Sequence, residues 1–270
     1  MVSSVSVIIP TYNRPQALRR AIESVLNQTL SPLEILVCED GSSVETRELV
    51  ESFNDPRVKW LPGLHAGRPA IPRNRGIQAA QGVWLAFLDD DDTWLPEKLE
   101  KQMTLVDLNN LLAVCTNAWR VTNQNQNELF FYQPITNEFD FKQLINNNWI
   151  ISSSVLFHSK LIKKVIGFPE SEKLTALEDY GLWLRISTFT KFGLLEEPLI
   201  TYNDDPRQSL RKNDETEQQQ KKKILLDLKC WAKRHHRIYC FIVLIYLIKL
   251  FFIQFYFDLI NYLKKQIRTK

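Results

Sequence analysis

The chain has 270 residues, of which 44% are hydrophobic, so it can bury one large core or a core with an appendage. Its net charge of +3 conceals an asymmetry: residues 1–220 carry 22 Lys and Arg against 29 Asp and Glu, whereas residues 221–270 carry 12 against 2. The two parts therefore face different partners, and no nucleic acid is expected among them.

Cysteine usage and the N-terminus indicate the compartment. The four cysteines form no CxxC pair, and at least one lies in an apolar run, as is typical of reduced thiols in a cytosolic protein. The N-terminal residues lack the basic and apolar regions of a signal peptide. We expect the body of the protein to stay on the cytoplasmic side of the membrane. The cysteines are Cys38, Cys115, Cys230 and Cys240.

Short apolar runs alternate with amphipathic stretches over the first 90 residues. The first run is β-branched and is broken by Pro10, after which Asn13 can cap a helix whose first turn contains Pro15. Alternation at this spacing predicts an α/β fold with a parallel, doubly wound sheet. The predicted strands are residues 5–9, 33–38, 57–61 and 83–88, and the predicted helices between them are 15–26, 44–53 and 71–81.

Polar residues follow three of these strands, at 11–14, 39–42 and 89–92. Because ligands bind outside the carboxyl ends of the strands in such sheets, we expect these segments to form one nucleotide and metal crevice. No glycine-rich dinucleotide fingerprint follows the first strand, and no Walker A lysine loop occurs. Neither a nicotinamide site nor a P-loop is supported.

The segment 89–92 consists of four consecutive aspartates. Adjacent like charges repel, and carboxylate oxygens at the end of a strand suit Mg²⁺ or Mn²⁺. The alternative is a solvated acidic turn ahead of the helix that begins near Pro96.

The second half of the body is less regular. Its polar segment 123–127 predicts an exposed hairpin or loop, and Glu178 and Asp179 lie near the amino end of a helix, where the helix dipole favours carboxylates whatever their function. Strands are predicted at residues 111–115 and 148–157, and helices at 96–108, 159–165 and 176–186.

Basic clusters precede an apolar segment in the tail, residues 221–270. The uninterrupted apolar run, 238–248, is short of the roughly twenty residues that span a bilayer, and Lys249 ends it. This pattern predicts a helix that lies in the membrane interface and meets anionic lipid. A tilted or re-entrant span and a buried helix pair or dimer contact remain alternatives. A polar stripe is predicted at Gln254, Asp258, Asn261 and Lys265.

Five short sequence motifs in the body together resemble those of the family 2 inverting glycosyltransferases of the bacterial cell-surface glycan type, which have the GT-A fold. That fold is Rossmann-like, with a mostly parallel doubly wound sheet. The resemblance covers residues 5 to about 205, and the change in charge after residue 220 sets the expected boundary between a GT-A domain, 1–220, and a helical tail, 221–270. The motifs are VSVIIPTYNR at 5–14, EDGSS at 39–43, RNRG at 73–76, LDDDD at 88–92 and EDYGLWLR at 178–185.

The resemblance implies a set of nucleotide-binding residues. The segment after the first strand and Asp40 match positions that hold the base, usually uracil, with the carboxylate facing its N3–H. Arg68 and Arg73 lie where the family often places cations near the nucleotide, surface salt bridges being the alternative. The nucleotide-binding residues implied are Pro10, Thr11, Tyr12, Arg14, Asp40, Arg68, Arg73, Asp89 and Asp90.

The resemblance also implies a metal and a catalytic base. Asp91 matches a ligand of Mn²⁺ or Mg²⁺, and Asp205 lies near the slot in which many members place a histidine ligand. Asp179 matches the base that deprotonates the acceptor hydroxyl, with Glu178 as the alternative. The four histidines of the chain show no ligand spacing and are interpreted as structural or interfacial.

The implied reaction is inverting, metal-dependent transfer of a sugar from a nucleoside diphosphate, UDP being favoured, to a hydroxyl of a lipid-linked or cell-surface glycan such as lipopolysaccharide. The Gln-x-x-Arg-Trp motif of processive members does not occur, so we expect one sugar to be added each time the enzyme binds its acceptor. The enzyme is expected on the cytoplasmic face of the inner membrane. The sequence leaves open whether the chain forms a homodimer. The alternatives are a sugar-nucleotide-forming nucleotidyltransferase and an inactive membrane-bound nucleotide-sugar-binding module.

Overall fold

A computed structural model describes the backbone of residues 4–122, 127–132, 136–205 and 215–268, and their side chains except at 127 and at 253–268. The chain separates into two compact units, Met1–Arg211 and Lys212–Lys270.

The first half of the first unit contains four parallel neighbouring strands joined by helices, as the alternating pattern predicts. The strand order is β3-β2-β1-β4, and each pairing between neighbours is parallel. β1 and β2 are buried along their whole length, which explains their β-branched, apolar sequences. The strands are β1 (Val5–Thr11), β2 (Glu34–Glu39), β3 (Val58–Leu61) and β4 (Trp84–Phe87), and the helices are α1 (Pro15–Leu26), α2 (Val44–Ser52) and α3 (Ala70–Ala79).

The second half continues the same sheet with mixed strand directions. Its elements are β5 (Thr93–Trp94), α4 (Lys98–Asn109), β6 (Ala113–Val121), β7 (Asn127–Leu129), β8 (Glu138–Phe139), α5 (Phe141–Leu144), β9 (Leu156–His158), α6 (Ile162–Val165), α7 (Glu178–Ser187) and β10 (Phe192–Asn203). The order runs on as β4-β9-β6-β10-β5. β9 is antiparallel to both β4 and β6, whereas β10 is parallel to β6.

Two details of the first loop differ from the sequence prediction. Pro10 does not break β1, which continues to Thr11; the pairing with β4 stops at Ile8, so only the β2 side is paired there. Asn13 does not cap α1, since the N-cap is Arg14 and makes no side-chain capping bond. Asn13 instead turns the chain with a positive φ of 51°.

The predicted strand at 148–157 is wrong over most of its length. Residues Ser152–Ser154 form a 3₁₀ turn, and only Leu156–His158 is a strand. The Ser154 hydroxyl donates to the Ile151 carbonyl, a local bond that competes with strand pairing. The polar residues 123–126 lie outside the described part, although β7 pairs antiparallel with the end of β6, as in a hairpin.

The second unit contains α8 (Glu217–His235) and α9 (Arg237–Arg268), which contact each other. A capping box formed by Thr216 and Gln219 starts α8. The division predicted after residue 220 falls inside α8. No helix in the described part of the chain combines the length and the hydropathy that crossing a membrane requires. The stripe predicted from Gln254 to Lys265 lies outside the described side chains.

Candidate active site

The ends of β1 and β4 meet at one edge of the sheet because the two strands are parallel neighbours. The Thr11 hydroxyl donates to Asp90 Oδ2 at 2.8 Å. Arg14, at the start of α1, places Nη1 3.3 Å from Asp90 Oδ1 and 3.1 Å from Asp91 Oδ2. Two of the predicted nucleotide-binding residues, Thr11 and Arg14, therefore contact the acidic segment directly.

The acidic segment resists full ionisation. Burial raises the pKa of Asp90 to about 7, although the Thr11 hydrogen bond opposes the shift. Burial and the neighbouring Asp89 also raise the pKa of Asp91, against the effect of Arg14. Such a group of crowded oxygens gains from a nearby cation.

Asp92 anchors this segment from behind. It is 1% exposed, accepts a hydrogen bond from the Ser153 hydroxyl, and accepts another from the backbone N–H of Asn203 at 2.8 Å. The Ser153 oxygen in turn accepts the Asp89 N–H at 3.0 Å. The 3₁₀ turn and the end of β10 thus fix the loop after β4. Asp205 lies two residues beyond Asn203 and is buried.

Asp40 binds the loop that follows β3. Its carboxylate accepts the N–H groups of Ala66 and Gly67, both at 2.7 Å, and lies 3.2 Å from Nδ1 of His65. The His65 ring stacks on Tyr12, with centroids 4.2 Å apart and an interplanar angle of 19°. Since a carboxylate has about four lone-pair sites, Asp40 keeps acceptor capacity for one further donor.

Arg73 connects the acidic segment to the start of α7. Its Nη2 donates to Asp89 Oδ1 and its Nη1 to Glu178 Oε1, both at 2.6 Å. Although burial opposes the charge, these two carboxylates raise the pKa of the Arg73 guanidinium. Arg68 is placed differently, because it donates to the backbone carbonyl of Glu170 at 2.7 Å.

Glu178 and Asp179 are adjacent but have different surroundings. Glu178 is 4% exposed and its carboxylate is bound to Arg73. Asp179 accepts the backbone N–H of Tyr180 at 2.6 Å. Burial and then Glu178 raise the pKa of Asp179 to about 7, while Arg73 opposes the shift. Asp179 is therefore a carboxylate that can exchange a proton near neutral pH.

The donor atoms at this edge suit a hard divalent cation. Among the residues that the structure describes, no group of three or more His, Cys, Asp and Glu side chains is arranged around one metal position. Asp91 nevertheless offers oxygen ligands, its side chain is 20% exposed, and burial together with Asp89 raises its pKa, so a cation would stabilise its ionised form. Oxygen ligands of this kind are those that Mg²⁺ and Mn²⁺ prefer.

The structure thus joins most of the predicted site residues in one network. Thr11 at the end of β1 and Arg14 at the start of α1 contact the acidic segment after β4, and Arg73 extends this network to the start of α7. Sequence reasoning placed Asp92 in the crevice without a role of its own, and it missed Ser153 and His65 as members. A run of three serines beside an apolar stretch was the available signal for Ser153.

Comparison with sequence families and relatives gives a consistent result. The model of the family described as Glycosyl transferase family 2 matches residues 6–165. The chain is 36% identical over 182 residues to the UDP-Glc:alpha-D-GlcNAc-diphosphoundecaprenol beta-1,3-glucosyltransferase WfgD of Escherichia coli, covering 67% of this chain and 69% of that protein. It is 27% identical over 236 residues to WfaP of Escherichia coli, which has the same activity in its name, covering 87% and 90%.

Solved structures share the fold. The crystal structure of S. aureus TarS 1-349 in complex with UDP superposes with a TM-score of 0.67 at 20% sequence identity. The match covers 86% of this chain and 66% of the TarS chain. The α/β GT-A architecture predicted from the sequence is therefore confirmed.

Proposed function

The chain belongs to glycosyl transferase family 2, and on that premise we propose that it transfers a single sugar from a nucleoside diphosphate to an acceptor hydroxyl with inversion. The observation that carries the proposal is the bridge through Arg73, which links the acidic segment after β4 to the paired carboxylates at the start of α7. Donor-side and acceptor-side chemistry need such proximity, because the hydroxyl must be deprotonated where it attacks.

Two observations support UDP as the nucleotide of the donor. The name of the similar WfgD specifies UDP-Glc, and TarS binds UDP in a fold like this one. In this chain the acceptor capacity of Asp40 and the exposed ring of Tyr12 suit a base that both donates a hydrogen bond and stacks.

A lipid-linked glycan is the proposed acceptor. WfgD and WfaP are both named for transfer to GlcNAc-diphosphoundecaprenol, and WfgD shares 36% identity with this chain. An acceptor of this class is held at a membrane surface, so an enzyme with a basic, apolar tail is suited to reach it.

In the proposed reaction Asp179 acts as the base. It takes the proton of the acceptor hydroxyl as the oxygen attacks C1 from the side opposite the departing diphosphate, which inverts the anomeric centre. Its raised pKa suits this exchange, whereas Glu178 is held by Arg73 and acts through position. Asp89 and Asp90 orient the donor at the end of β4. Thr11 and Arg14 hold the Asp90 carboxylate in place.

A divalent cation fits the same edge. Asp91 would hold Mn²⁺ or Mg²⁺, with Asp205 as a second candidate beyond the end of β10. When bound, the ion neutralises negative charge that develops on the leaving diphosphate.

We further propose that the second unit binds the cytoplasmic face of the inner membrane. α9 exposes a continuous apolar stripe, defined by the residues at the end of this paragraph, and exposed basic residues flank it on α8 and α9. Apolar side chains enter the interface while Lys and Arg meet anionic lipid headgroups. The stripe residues are Ile238, Phe241, Leu244, Ile245, Ile248, Phe251 and Phe252, and the basic residues are Lys222, Lys233, Arg234, Arg237 and Lys249.

Incubation with Mn²⁺, lipid-linked acceptor and a panel of sugar nucleotides tests the proposed reaction. Release of UDP together with a product one sugar heavier by mass spectrometry supports transfer. Release of pyrophosphate from a nucleoside triphosphate plus a sugar phosphate would instead indicate a nucleotidyltransferase. Binding of sugar nucleotides without either product would indicate an inactive binding module.

A further inference from the structure

Arg73 lies in the first turn of α3 and touches two other elements of the candidate active site. One terminal nitrogen donates to Asp89, which follows β4, and the other donates to Glu178, which opens α7. Glu178 is 105 residues away in the sequence. The rigid, planar fork of an arginine suits two carboxylates held on different sides.

The surroundings of Arg73 distinguish a bridge from a nucleotide ligand. The residue is 4% exposed, and its guanidinium carbon lies 5.3 Å from the centroid of the Phe168 ring. Each terminal nitrogen already binds a carboxylate. Because Arg73 is this buried, a donor diphosphate has little access to its remaining N–H groups, and displacing Glu178 to reach them would leave a buried carboxylate without its partner.

Glu178 depends on this bridge for its charge balance. It is 4% exposed, and its Oε2 atom is buried with no hydrogen-bond partner among the described residues. Arg73 is its ion-pair partner in the part of the chain that the structure covers. Removing the guanidinium would leave an uncompensated carboxylate directly beside Asp179.

We propose that Arg73 is a positioning residue, which fixes the base Asp179 relative to the donor carboxylate Asp89 by holding Glu178, rather than a ligand of the nucleotide. This inference rests on the proposed function, because it assigns Arg73 a part in the same reaction. It replaces the nucleotide contact that the family resemblance implies for Arg73.

Arg73 also sets the charge around Asp179. The groups that act on this carboxyl are Glu178 and Asp89, which raise its pKa, and Arg73 and the Tyr180 N–H, which lower it, after burial as the largest cause. Loss of Arg73 therefore raises the pKa of Asp179 further, and loss of Glu178 lowers it. The two changes together offset each other.

Four variants test the proposal: Arg73→Met, Arg73→Lys, Glu178→Gln and the double variant Arg73→Met/Glu178→Gln. For Arg73→Met we expect kcat at pH 7 to fall about 100-fold while the Kd for UDP stays within about threefold of the wild type. The acid limb of its pH–kcat profile should move up by about one pH unit. Arg73→Lys keeps the charge and should shift the limb less, and the double variant should return it towards the wild-type position.

Arg47→Met is the matched control, since Arg47 is exposed and pairs with Glu51 on α2. It should leave the pH profile and the Kd for UDP unchanged. If Arg73→Met weakens UDP binding in step with kcat, Arg73 is a nucleotide ligand and the inference is wrong. An unchanged pH profile in Arg73→Met would also overturn it.

Thermal unfolding tests the bridge without turnover. Each single variant should lower Tm, and the double variant should lower it by less than the sum, because Glu178→Gln removes the buried charge that Arg73→Met leaves unpaired. Additive losses would show that the bridge is absent and would overturn the inference. If the wild-type chain releases no UDP from any donor, the proposed function fails, and the unfolding cycle still decides whether Arg73 and Glu178 are coupled.

Discussion

At the start of α7, two neighbouring carboxylates, Glu178 and Asp179, have different contacts, on which their proposed roles depend. Glu178 is buried, and its Oε1 atom is bound to the Arg73 guanidinium at 2.6 Å. The two hydrogen bonds that Arg73 donates go to Asp89 and Glu178 rather than to Asp179. Burial, followed by the charge of Glu178, raises the pKa of Asp179 to about 7. A base must be able to take up a proton, so Asp179, whose pKa is raised and whose carboxylate Arg73 does not bind, is the better candidate.

Replacing Asp179 with Asn tests this assignment. We expect kcat to fall by about 10²–10⁴-fold, the contribution typical of a general base, with the Kd for UDP little changed. In the wild type, kcat should fall as pH drops below about 7, because the raised pKa leaves Asp179 protonated there. The variant should lose this acid limb. Initial rates of UDP release between pH 5.5 and 8.5, values chosen to span about one unit or more on each side of that pKa, provide the measurement.

Asp107→Asn is the matched control, since Asp107 is an exposed carboxylate on α4. It should retain the wild-type rate and profile. Full activity in Asp179→Asn would transfer the role of base to Glu178 or to another group.

At the scale of elements, α3 is held close to the sheet by its glycine. A Cβ added at Gly76 would lie 2.6 Å from Cγ2 of Ile8 on β1 and 2.7 Å from Sγ of Cys38 on β2. Both neighbours are fully buried. The helix that presents Arg73 is therefore positioned by a close contact about one turn further along.

We expect Gly76→Ala to destabilise the fold, by about 1–3 kcal/mol from overpacking. The higher helix propensity of Ala opposes this loss of stability by about 1 kcal/mol. A net loss of stability would therefore show that overpacking is the larger effect. The Tm from thermal unfolding is the measurement, with Gln78→Ala at an exposed position of α3 as the control. A higher Tm in Gly76→Ala would mean that the close packing of α3 on β1 and β2 is not limiting.

The sequence predicts the parallel half of the sheet well because each element there carries its own signal. β1, β2 and β4 are apolar runs flanked by turn residues, and the helices between them have a buried face. β10 lacks such a signal, since Glu196, Glu197 and Pro198 interrupt it and its pairing with β6 shifts register there. Sheet pairing, rather than local propensity, makes that segment a strand.

The candidate site divides in the same way. Carboxylates that follow strands could be assigned to one edge from topology alone, since parallel strands end together. Contacts between distant segments could not, because nothing local links Arg73 to Glu178 or Ser153 to Asp92. The stacking of His65 on Tyr12 depends in the same way on a loop that Asp40 folds back.

For the whole molecule, charge separates along the chain. Residues 1–220 carry an excess of acidic groups, while residues 221–270 carry 12 Lys and Arg against 2 Asp. An anionic surface therefore attracts the second unit and repels the body. This asymmetry favours a membrane over a second copy of the chain as the partner of the apolar stripe, because two basic tails repel each other.

Flotation with lipid vesicles tests this partner. We expect the full chain to bind vesicles that contain phosphatidylglycerol, and Phe241→Asp/Phe251→Asp to lose binding by about 100-fold or more, since each buried Phe contributes roughly 1.5–3 kcal/mol. Phe241 and Phe251 are 70% and 68% exposed. High salt should weaken wild-type binding, because each Lys or Arg near an anionic surface contributes about 1 kcal/mol that ions screen.

Leu108→Asp serves as the control for added negative charge, because Leu108 is 78% exposed on α4 of the first unit. It should leave vesicle binding intact. Sedimentation of the same proteins without lipid tests the alternative partner, a second copy of the chain. The stripe is a contact between copies if the wild type is a dimer that Phe241→Asp/Phe251→Asp dissociates and if the wild type does not float with vesicles. Because apolar burial and headgroup attraction both contribute, binding to anionic vesicles should exceed binding to neutral ones, and equal binding would remove the role assigned to the basic residues.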